Sequence, residues 1–221
     1  MDKALIIGAS GGIGRALVAE LQMHGVAVQG LSRSADGLDL SDPETVEHVL
    51  GDVKGPFDLI LVASGALEIA AAAPEKSIKA VTAQAMMDQF AVNAVGPALV
   101  LRHAARLLPR DRRAVVAVLS ARVGSIGDNR LGGWVSYRAA KAAVNQIVHT
   151  TAIELTRTHK QSICVSLHPG TVATAFTQKY LGRHPSVQPS EAAMNLLNVI
   201  QGLTLEDTGQ FFDWAGKAVP W

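Results

Sequence analysis

The sequence predicts an α/β fold in which one doubly wound parallel sheet lies between two layers of helices. Short apolar runs alternate with longer stretches of helical pattern along the chain, which is typical of βαβ units. The first apolar run, residues 3–7, ends in a glycine-rich turn that leads directly into a helical pattern. Because single α/β domains commonly reach roughly 200–250 residues, we expect residues 1–221 to form one domain.

Composition and charge exclude several classes of function. Hydrophobic residues make up 48% of the chain and charged residues 18%, which suits a large buried core and argues against disorder. The net charge of +1, with no basic run, gives no reason to expect a nucleic acid or an acidic membrane as a partner. No stretch resembles a signal sequence or a membrane span. We therefore expect a cytoplasmic protein that binds a small molecule and no metal, with the single Cys164 buried in a strand.

The glycine-rich turn after the first strand predicts a dinucleotide site. It reads Gly-Ala-Ser-Gly-Gly-Ile-Gly over residues 8–14, and a helical pattern follows it at once. Glycines let the backbone approach a pyrophosphate closely, and the free amides of the first helical turn receive its charge. The cofactor contacts predicted here are Gly8, Ser10, Gly12, Ile13 and Gly14.

The end of the second strand predicts which dinucleotide is preferred. This strand covers residues 26–31 and ends at Ser32-Arg33, where a protein that prefers NAD usually has an acidic residue. An arginine beside a small hydroxyl offers donors without negative charge, which suits the additional phosphate of NADP. We therefore predict NADP(H) in preference to NAD(H), with Asp39 and Leu40 beside the adenine. The alternative is that Arg33 is an ordinary surface residue.

The connection after the second strand is short. Too few residues separate Arg33 from residues 38–40 for a crossover helix of ten or more residues, so we expect the fold to be trimmed there. A helix from 43 to about 50 and a buried strand at 57–62 follow. That strand ends in small residues against which a cofactor can lie, namely Ala63, Ser64 and Gly65. Residues 67–80 are left unassigned.

The next two elements bring polar residues toward the same edge of the sheet. Residues 82–109 predict a long helix in which Pro97 bends the backbone and releases hydrogen bonds near Asn93. Residues 113–119 predict a strand that delivers Ser120 at its carboxyl end, where open parallel sheets bind ligands.

A tyrosine and a lysine four residues apart are the candidate catalytic pair. Residues 136–153 lack glycine and proline and are rich in alanine, so they predict a helix on which Tyr137 and Lys141 share one face. A neighbouring ammonium favours the phenolate and is expected to lower the pKa of the phenol, which makes it a usable general acid or base. The alternative is a solvated helix face of no chemical role.

The remainder of the chain completes the predicted sheet. Residues 163–167 are predicted as the sixth strand, which leads to the loop that starts at His168. Residues 175–189 are polar and contain glycine and proline, so we expect a lid over the site. A helix from Ser190 to Gln201 and a last strand follow. The tail also carries two tryptophans. The sequence leaves two alternatives for them, that they close the substrate pocket or that they fill a subunit contact.

These residues together resemble the short-chain dehydrogenase/reductase family over nearly the whole chain. Four motifs carry the resemblance in the right order: Gly8-x-x-x-Gly12-x-Gly14, Asn93, Tyr137-x-x-x-Lys141 and Pro169-Gly170. The stretch that begins at Ser120 and the tryptophan-containing tail look most like the small C-factor and sniffer-like carbonyl reductases.

The resemblance implies a Rossmann fold and hydride transfer between a nicotinamide and a carbonyl or secondary alcohol. Tyr137 would exchange the proton on the substrate oxygen, Lys141 would hold the nicotinamide ribose, and Asn93 would hold a water that links the lysine to solvent. A homodimer or homotetramer is implied, through the helices that begin near 82 and 136. Further cofactor contacts are implied at Pro169, Gly170, Val172 and Thr174.

Two departures from the family pattern leave the third catalytic group open. Alignment puts Ala121 where the family has its substrate-binding serine, and Ser120 stands one place early, so alternation along the strand can turn it away from the pocket. Ser125 is a possible substitute. Residues 63–66 also differ from the usual Asn-Asn-Ala-Gly. These departures keep open a second function, a dinucleotide-binding signalling or regulatory protein with little turnover.

Overall fold

A six-stranded parallel sheet forms the centre of the computed structural model, which describes residues 1–70, 72–180 and 185–221. The strand order is β2-β1-β3-β4-β5-β6, and each neighbouring pair is parallel. The strands are β1 (Lys3–Ile7), β2 (Ala27–Leu31), β3 (Leu59–Val62), β4 (Ala114–Leu119), β5 (Ser162–His168) and β6 (Phe211–Asp213). The predicted doubly wound Rossmann-type fold is confirmed.

Helices cover both faces of the sheet. They are α1 (Gly12–Met23), α2 (Arg33–Asp36), α3 (Pro43–Asp52), α4 (Ala83–Phe90), α5 (Gly96–Arg102), α6 (Ala104–Leu107), α7 (Val135–Leu155) and α8 (Pro189–Gly202). One apolar cluster joins the sheet to α3, α5, α6 and α7, and a second joins the other face to α1 and α8. The molecule therefore has the predicted three layers.

The inner strands are apolar at nearly every position because both of their faces are covered. Along β1, Leu5 and Ile7 belong to the first apolar cluster, whereas Ala4 and Ile6 belong to the second. Full burial of a leucine or isoleucine side chain is worth about 1.5–3 kcal/mol. This uninterrupted burial, and not alternation of apolar and polar residues, marks a parallel sheet.

The trimmed connection removes a strand as well as a helix. After β2 the chain makes only the four-residue α2, and residues 38–40, which the structure describes, form no strand. Leu38 and Leu40 are buried instead. The crossover helix α3 then leads to β3, so residues 163–167 lie in the fifth strand, and their prediction as the sixth is wrong.

The predicted long helix at 82–109 is interrupted. A π-helical turn, Ala91–Val95, joins α4 to α5, and α6 ends at Leu107. Pro97 lies at the start of α5, where it lacks the amide that would continue a regular α-helix. The π turn thus contains Asn93, near which the sequence predicts a break in the regular hydrogen bonds.

The remaining predicted boundaries need small corrections. The helix expected from Ser190 begins at Pro189, with Gln188 before it. In the predicted lid, residues 181–184 lie outside the described residues, while Val172 pairs with Val187 at its base. Cys164 is buried in β5 as predicted, and burial raises the pKa of its thiol to about 12. Among the described residues, no helix is long and apolar enough to cross a membrane, and no group of side chains could hold a metal.

Candidate active site

The glycine turn closes tightly against two other loops at the carboxyl edge of the sheet. Gly8 has φ +87°, a conformation that favours glycine, and a Cβ there would lie 2.5 Å from Ser64 Oγ. A Cβ on Gly12 would lie 2.5 Å from Thr174 Cγ2, and one on Gly14 would clash with the carbonyl oxygen of Gly8. The start of α1 is thus a narrow cradle of main chain, which can receive a pyrophosphate. Ser10 and Ile13 lie in the same turn.

The residues predicted to select the cofactor lie at the end of β2 and take different roles. Ser32 is buried, and its hydroxyl accepts a hydrogen bond from the Ala35 amide at 3.2 Å, so it caps α2. Arg33 is 79% exposed, with Nη1 3.7 Å from Asp39 Oδ2. Hydrogen bonds from Ser41 lower the pKa of Asp39. The Arg33 guanidinium is therefore exposed to a ligand although it pairs with Asp39, whereas the Ser32 hydroxyl already caps α2.

The side chain of Leu40 belongs to the core. Its side chain is buried, and it packs so closely on the helix beyond the π turn that a Cβ on Gly96 would lie 2.6 Å from Leu40 Cβ. The side chain belongs to the first apolar cluster. Its predicted position beside the adenine stays a prediction, and its buried side chain offers little surface to a ligand.

Tyr137 and Lys141 are both buried on α7, with 6% and 3% of their surfaces exposed. The alternative of a solvated helix face is therefore wrong. Lys141 Nζ lies 5.8 Å from the centroid of the Tyr137 ring and donates a hydrogen bond to the Leu119 carbonyl at 3.0 Å. The lysine side chain thus bridges the end of β4 and the tyrosine.

Burial changes the acidity of both groups. Burial lowers the pKa of Lys141 to about 8, because the ammonium loses its hydration. It raises the pKa of Tyr137, because the phenolate would lose its hydration as well. The prediction that the ammonium lowers the pKa of the phenol is thus wrong for this arrangement, since desolvation is the stronger effect. The phenol keeps its proton at neutral pH and is suited to act as an acid.

Asn93 fixes the loop that follows β3. It is fully buried, its Oδ1 accepts from the Ala66 amide at 3.1 Å, and its Nδ2 donates to the Ala66 carbonyl at 2.8 Å. The same Nδ2 donates to Gln89 Oε1 at 2.7 Å. A Cβ on Gly65 would lie 3.0 Å from Asn93 Oδ1 and 3.5 Å from Lys141 Nζ. The loop at 63–66 therefore runs between the asparagine and the lysine.

Neither candidate serine has a free hydroxyl. Ser120 is buried, and its Oγ lies 3.5 Å from the carbonyl oxygen of Lys141. Ser125 donates to the Pro220 carbonyl and accepts from the Asp128 amide at 3.1 Å. The structure gives both serines main-chain partners, and it does not support either as the third group beside Tyr137.

The loop after β5 lies over the glycine turn. Gly170 has φ +78°, and a Cβ there would lie 3.0 Å from Trp214 Cδ1. Thr174 reaches the glycine turn through its methyl group, whereas Val172 is buried. Pro169 separates this loop from His168.

Trp221 packs within the chain, in a stacked arrangement with Phe211 whose centroids are 6.1 Å apart. The two tail tryptophans thus differ, since Trp214 lies against the loop of the candidate site and Trp221 packs on Phe211.

Sequence reasoning missed two polar residues beside this site, of which Glu75 is buried and His168 is half-buried. His168 ends β5, and burial lowers the pKa of its imidazole to about 4. Glu75, in the unassigned stretch, is buried and hydrogen-bonds to Ser136 at the start of α7. A carboxylate in an alanine-rich stretch is an unusual core residue, and this was the only signal available.

Comparison with proteins of known sequence finds several relatives, of which two are described here. The chain is 29% identical over 237 residues to 1-hydroxy-2-glutathionyl-2-methyl-3-butene dehydrogenase of Rhodococcus sp. (strain AD45), which covers 100% of both chains. It is 35% identical over 139 residues to C-signal of Myxococcus xanthus, which covers 62% of this chain and 78% of the relative.

Two carbonyl reductases of known structure share the fold. Sniffer of D. melanogaster superimposes with a TM-score of 0.80 at 21% identity, over 100% of both chains. The NADPH-bound carbonyl reductase from chicken fatty liver gives a TM-score of 0.84 at 21% identity, over 100% of this chain and 94% of that one.

The fold and these comparisons define an oxidoreductase of the Rossmann type. A family model described as short chain dehydrogenase matches residues 37–183, and the chain belongs to that family. The resemblance predicted from the four motifs is thereby confirmed, as is the likeness to C-factor and sniffer-like proteins.

Proposed function

We propose that the protein is an NADP(H)-dependent oxidoreductase that transfers a hydride between the nicotinamide and a carbonyl or secondary alcohol. The observation that carries this proposal is the buried pair of Tyr137 and Lys141, which lies beside the loop at 63–66 and shares the carboxyl edge of the sheet with the glycine turn. Burial of a phenol and an amine side by side costs free energy. Titratable groups perturbed by burial in this way cluster at functional sites.

The residues of the cradle fit a dinucleotide. The glycine turn has room only for main chain, so its amides can approach a pyrophosphate without obstruction. No acidic residue occupies positions 32 and 33, and the exposed Arg33 guanidinium can pair with a ribose phosphate. The chicken carbonyl reductase that shares the fold is NADPH-bound, which supports the same preference.

In the direction of reduction, Tyr137 donates its hydroxyl proton to the substrate oxygen as the carbonyl carbon gains a hydride. A reduced dinucleotide held in the cradle would supply that hydride. Lys141, when protonated, stabilises the phenolate that Tyr137 becomes, and the phenol regains its proton from solvent. In the reverse direction the same phenolate takes the proton of the alcohol. Asn93 holds the loop at 63–66 in place through its hydrogen bonds to Ala66.

A panel of carbonyl substrates, with loss of NADPH absorbance as the readout, tests the proposal. We expect Tyr137→Phe and Lys141→Ala each to lower kcat by 100-fold or more, roughly the contribution of a positioned acid. Lys160→Ala, at an exposed lysine distant in sequence, is the matched control and should keep full activity. Unchanged turnover in both active-site variants contradicts the mechanism.

A second function is favoured by one observation, that the hydroxyls of both candidate serines, Ser120 and Ser125, already have main-chain partners. Ala121 stands at the aligned position, and the similarity to C-signal points the same way. In this hypothesis the protein binds the dinucleotide as a signalling or regulatory protein and turns over little. A Tyr137→Phe variant with full biological activity and unaltered NADPH affinity would support it.

We also infer a cytoplasmic homodimer or homotetramer, as is common in the family. The expected contact surfaces are the helices that begin near 82 and 136. Sedimentation of a monomer at micromolar concentration contradicts the assembly.

A further inference from the structure

The catalytic helix α7 begins without a cap of its own. The residue directly before the helix is Trp134, whose φ of +52° lies in the left-handed region. Its side chain makes no capping hydrogen bond to the first turn. Helices usually begin after an extended serine, threonine, aspartate or asparagine whose side chain accepts an amide of the first turn. The amides just before Tyr137 therefore need an acceptor from elsewhere in the chain.

Glu75 supplies that acceptor. Its carboxylate accepts from the Ser136 amide at 3.3 Å and from the Ser136 hydroxyl, and its own carbonyl accepts from the Trp134 amide at 2.6 Å. One residue thus holds two of the three residues that precede Tyr137 in the chain. A carboxylate at a helix N-terminus is also favoured by the helix dipole.

An arginine in the first turn of α7 also holds the chain that leads into the helix. Arg138 donates to the carbonyls of Gly133 at 2.9 Å, Val123 at 3.1 Å and Gly132 at 3.2 Å. A Cβ on Gly133 would lie 3.4 Å from the carbonyl of Glu75, which packs against it. The entry to α7 is therefore held between Arg138 and Glu75.

A small cavity lies beside the tyrosine ring, on the side of the carboxylate. Tyr137 and Glu75 line one small cavity of about 20 Å³, together with Asp88 and Gln89. Space beside a ring gives it room to move if the main chain at the start of the helix loosens. The position of the phenol then depends on the hydrogen bonds that anchor residues 134–136.

We propose that Glu75 is a positioning residue, which holds the first turn of α7 so that the Tyr137 hydroxyl stays in place for proton transfer. This inference rests on the proposed function, because it assigns Tyr137 the proton transfer. Glu75 acts through the main chain and through Ser136, and it need not touch the substrate. A displacement of about 1 Å can cost roughly 100-fold in rate.

Three variants and a control test the proposal. Glu75→Ala removes the carboxylate, Glu75→Gln keeps one oxygen as an acceptor in nearly the same shape, and Ser136→Ala removes only the hydroxyl. Asp88→Asn is the control, since Asp88 lines the same cavity but accepts from Gln84 on its own helix, at 2.8 Å.

We expect Glu75→Ala to lower kcat by roughly 10- to 100-fold while the Kd for NADPH stays within about twofold, since the cradle lies on other elements. Glu75→Gln should recover part of the loss, and Asp88→Asn should match the wild type. Because Glu75→Ala can fail to fold, Glu75→Gln, with Ser136→Ala beside it, keeps the test decisive. Wild-type kcat in Glu75→Ala, or a kcat and a cofactor affinity that fall together, overturns the proposal.

Hydrogen exchange gives a readout that is independent of turnover. In Glu75→Ala the amides of residues 135–138 should exchange at least tenfold faster, while those of 142–155 stay protected. Unchanged exchange at 135–138 also overturns the proposal. If the wild-type protein turns over no carbonyl with NADPH, the proposed function fails, and the exchange result then decides by itself whether Glu75 holds the helix start.

Discussion

Replacement of Arg33 by aspartate tests the cofactor preference most directly. Arg33 is 79% exposed and pairs only loosely with Asp39, at 3.7 Å. We expect Arg33→Asp to weaken NADPH binding and to leave NADH binding nearly unchanged or slightly stronger. The physical reason is that the variant removes a charge-assisted donor and places a negative charge where the additional phosphate is expected.

The size of the effect follows from two contributions. A hydrogen bond to a charged group is worth about 1.5–3 kcal/mol, and the exposed ion pair that Arg33 gives up is worth about 0–1 kcal/mol. The difference, about 0.5–3 kcal/mol, corresponds to roughly 2- to 150-fold in Kd. Asp39→Asn should act in the opposite direction, tightening NADPH by up to about fivefold, because it frees the arginine in advance.

Fluorescence titration of NADPH and NADH against each variant measures both affinities. Arg157→Asp, at an exposed arginine in another part of the chain, controls for the change in net charge. The salt dependence of the NADPH affinity should be weaker in Arg33→Asp than in the wild type. Equal affinities of the native protein for the two dinucleotides, or an unchanged ratio in Arg33→Asp, refute the reasoning.

Three further predictions concern stability. Burial lowers the pKa of Lys141 from its ordinary value of 10.5 to about 8 in the folded state. Between about pH 8 and pH 10.5 the unfolded chain therefore binds more protons than the folded chain. The free energy of unfolding should rise with pH across that window. The rise, up to about 3 kcal/mol, should be absent from Lys141→Met in urea titrations at several pH values. Gly14→Ala should lose about 1–3 kcal/mol and most of its NADPH affinity, because its Cβ meets the carbonyl of Gly8. Gly51→Ala, in an open part of α3, should gain about 0.4–1 kcal/mol by thermal melting; equal melting temperatures for the two glycine variants would contradict the packing argument.

Local features of the site could be predicted from the sequence. The four-residue spacing of Tyr137 and Lys141 places them on one helix face whatever the rest of the chain does. The alternation of side chains along β4 likewise warned that Ser120 can face away from the pocket, and its hydroxyl lies near the main chain of Lys141. The glycine turn was recognisable because strand, turn and helix are adjacent in sequence.

Tertiary features could not be predicted in the same way. The direction of the pKa of Tyr137 depends on burial by distant elements, and the lysine beside it gave the opposite expectation. The hydrogen bond from Ser136, at the start of α7, to Glu75 spans 61 positions in the chain, and no local pattern reveals it. Leu40 likewise packs on a helix more than 50 positions away, so its place in the core was hidden.

The π turn at Ala91–Val95 joins two helices whose faces are offset by its one additional residue. Deletion of a residue from this turn would restore a continuous α-helix, but it would rotate everything beyond it by about 100° relative to α4. Either Asn93 would leave the loop it holds, or Val100 and Leu101 would leave the first apolar cluster. The insertion therefore lets one stretch of chain serve the site and the core at the same time, so insertions and deletions here should be tolerated far less than in the exposed loops.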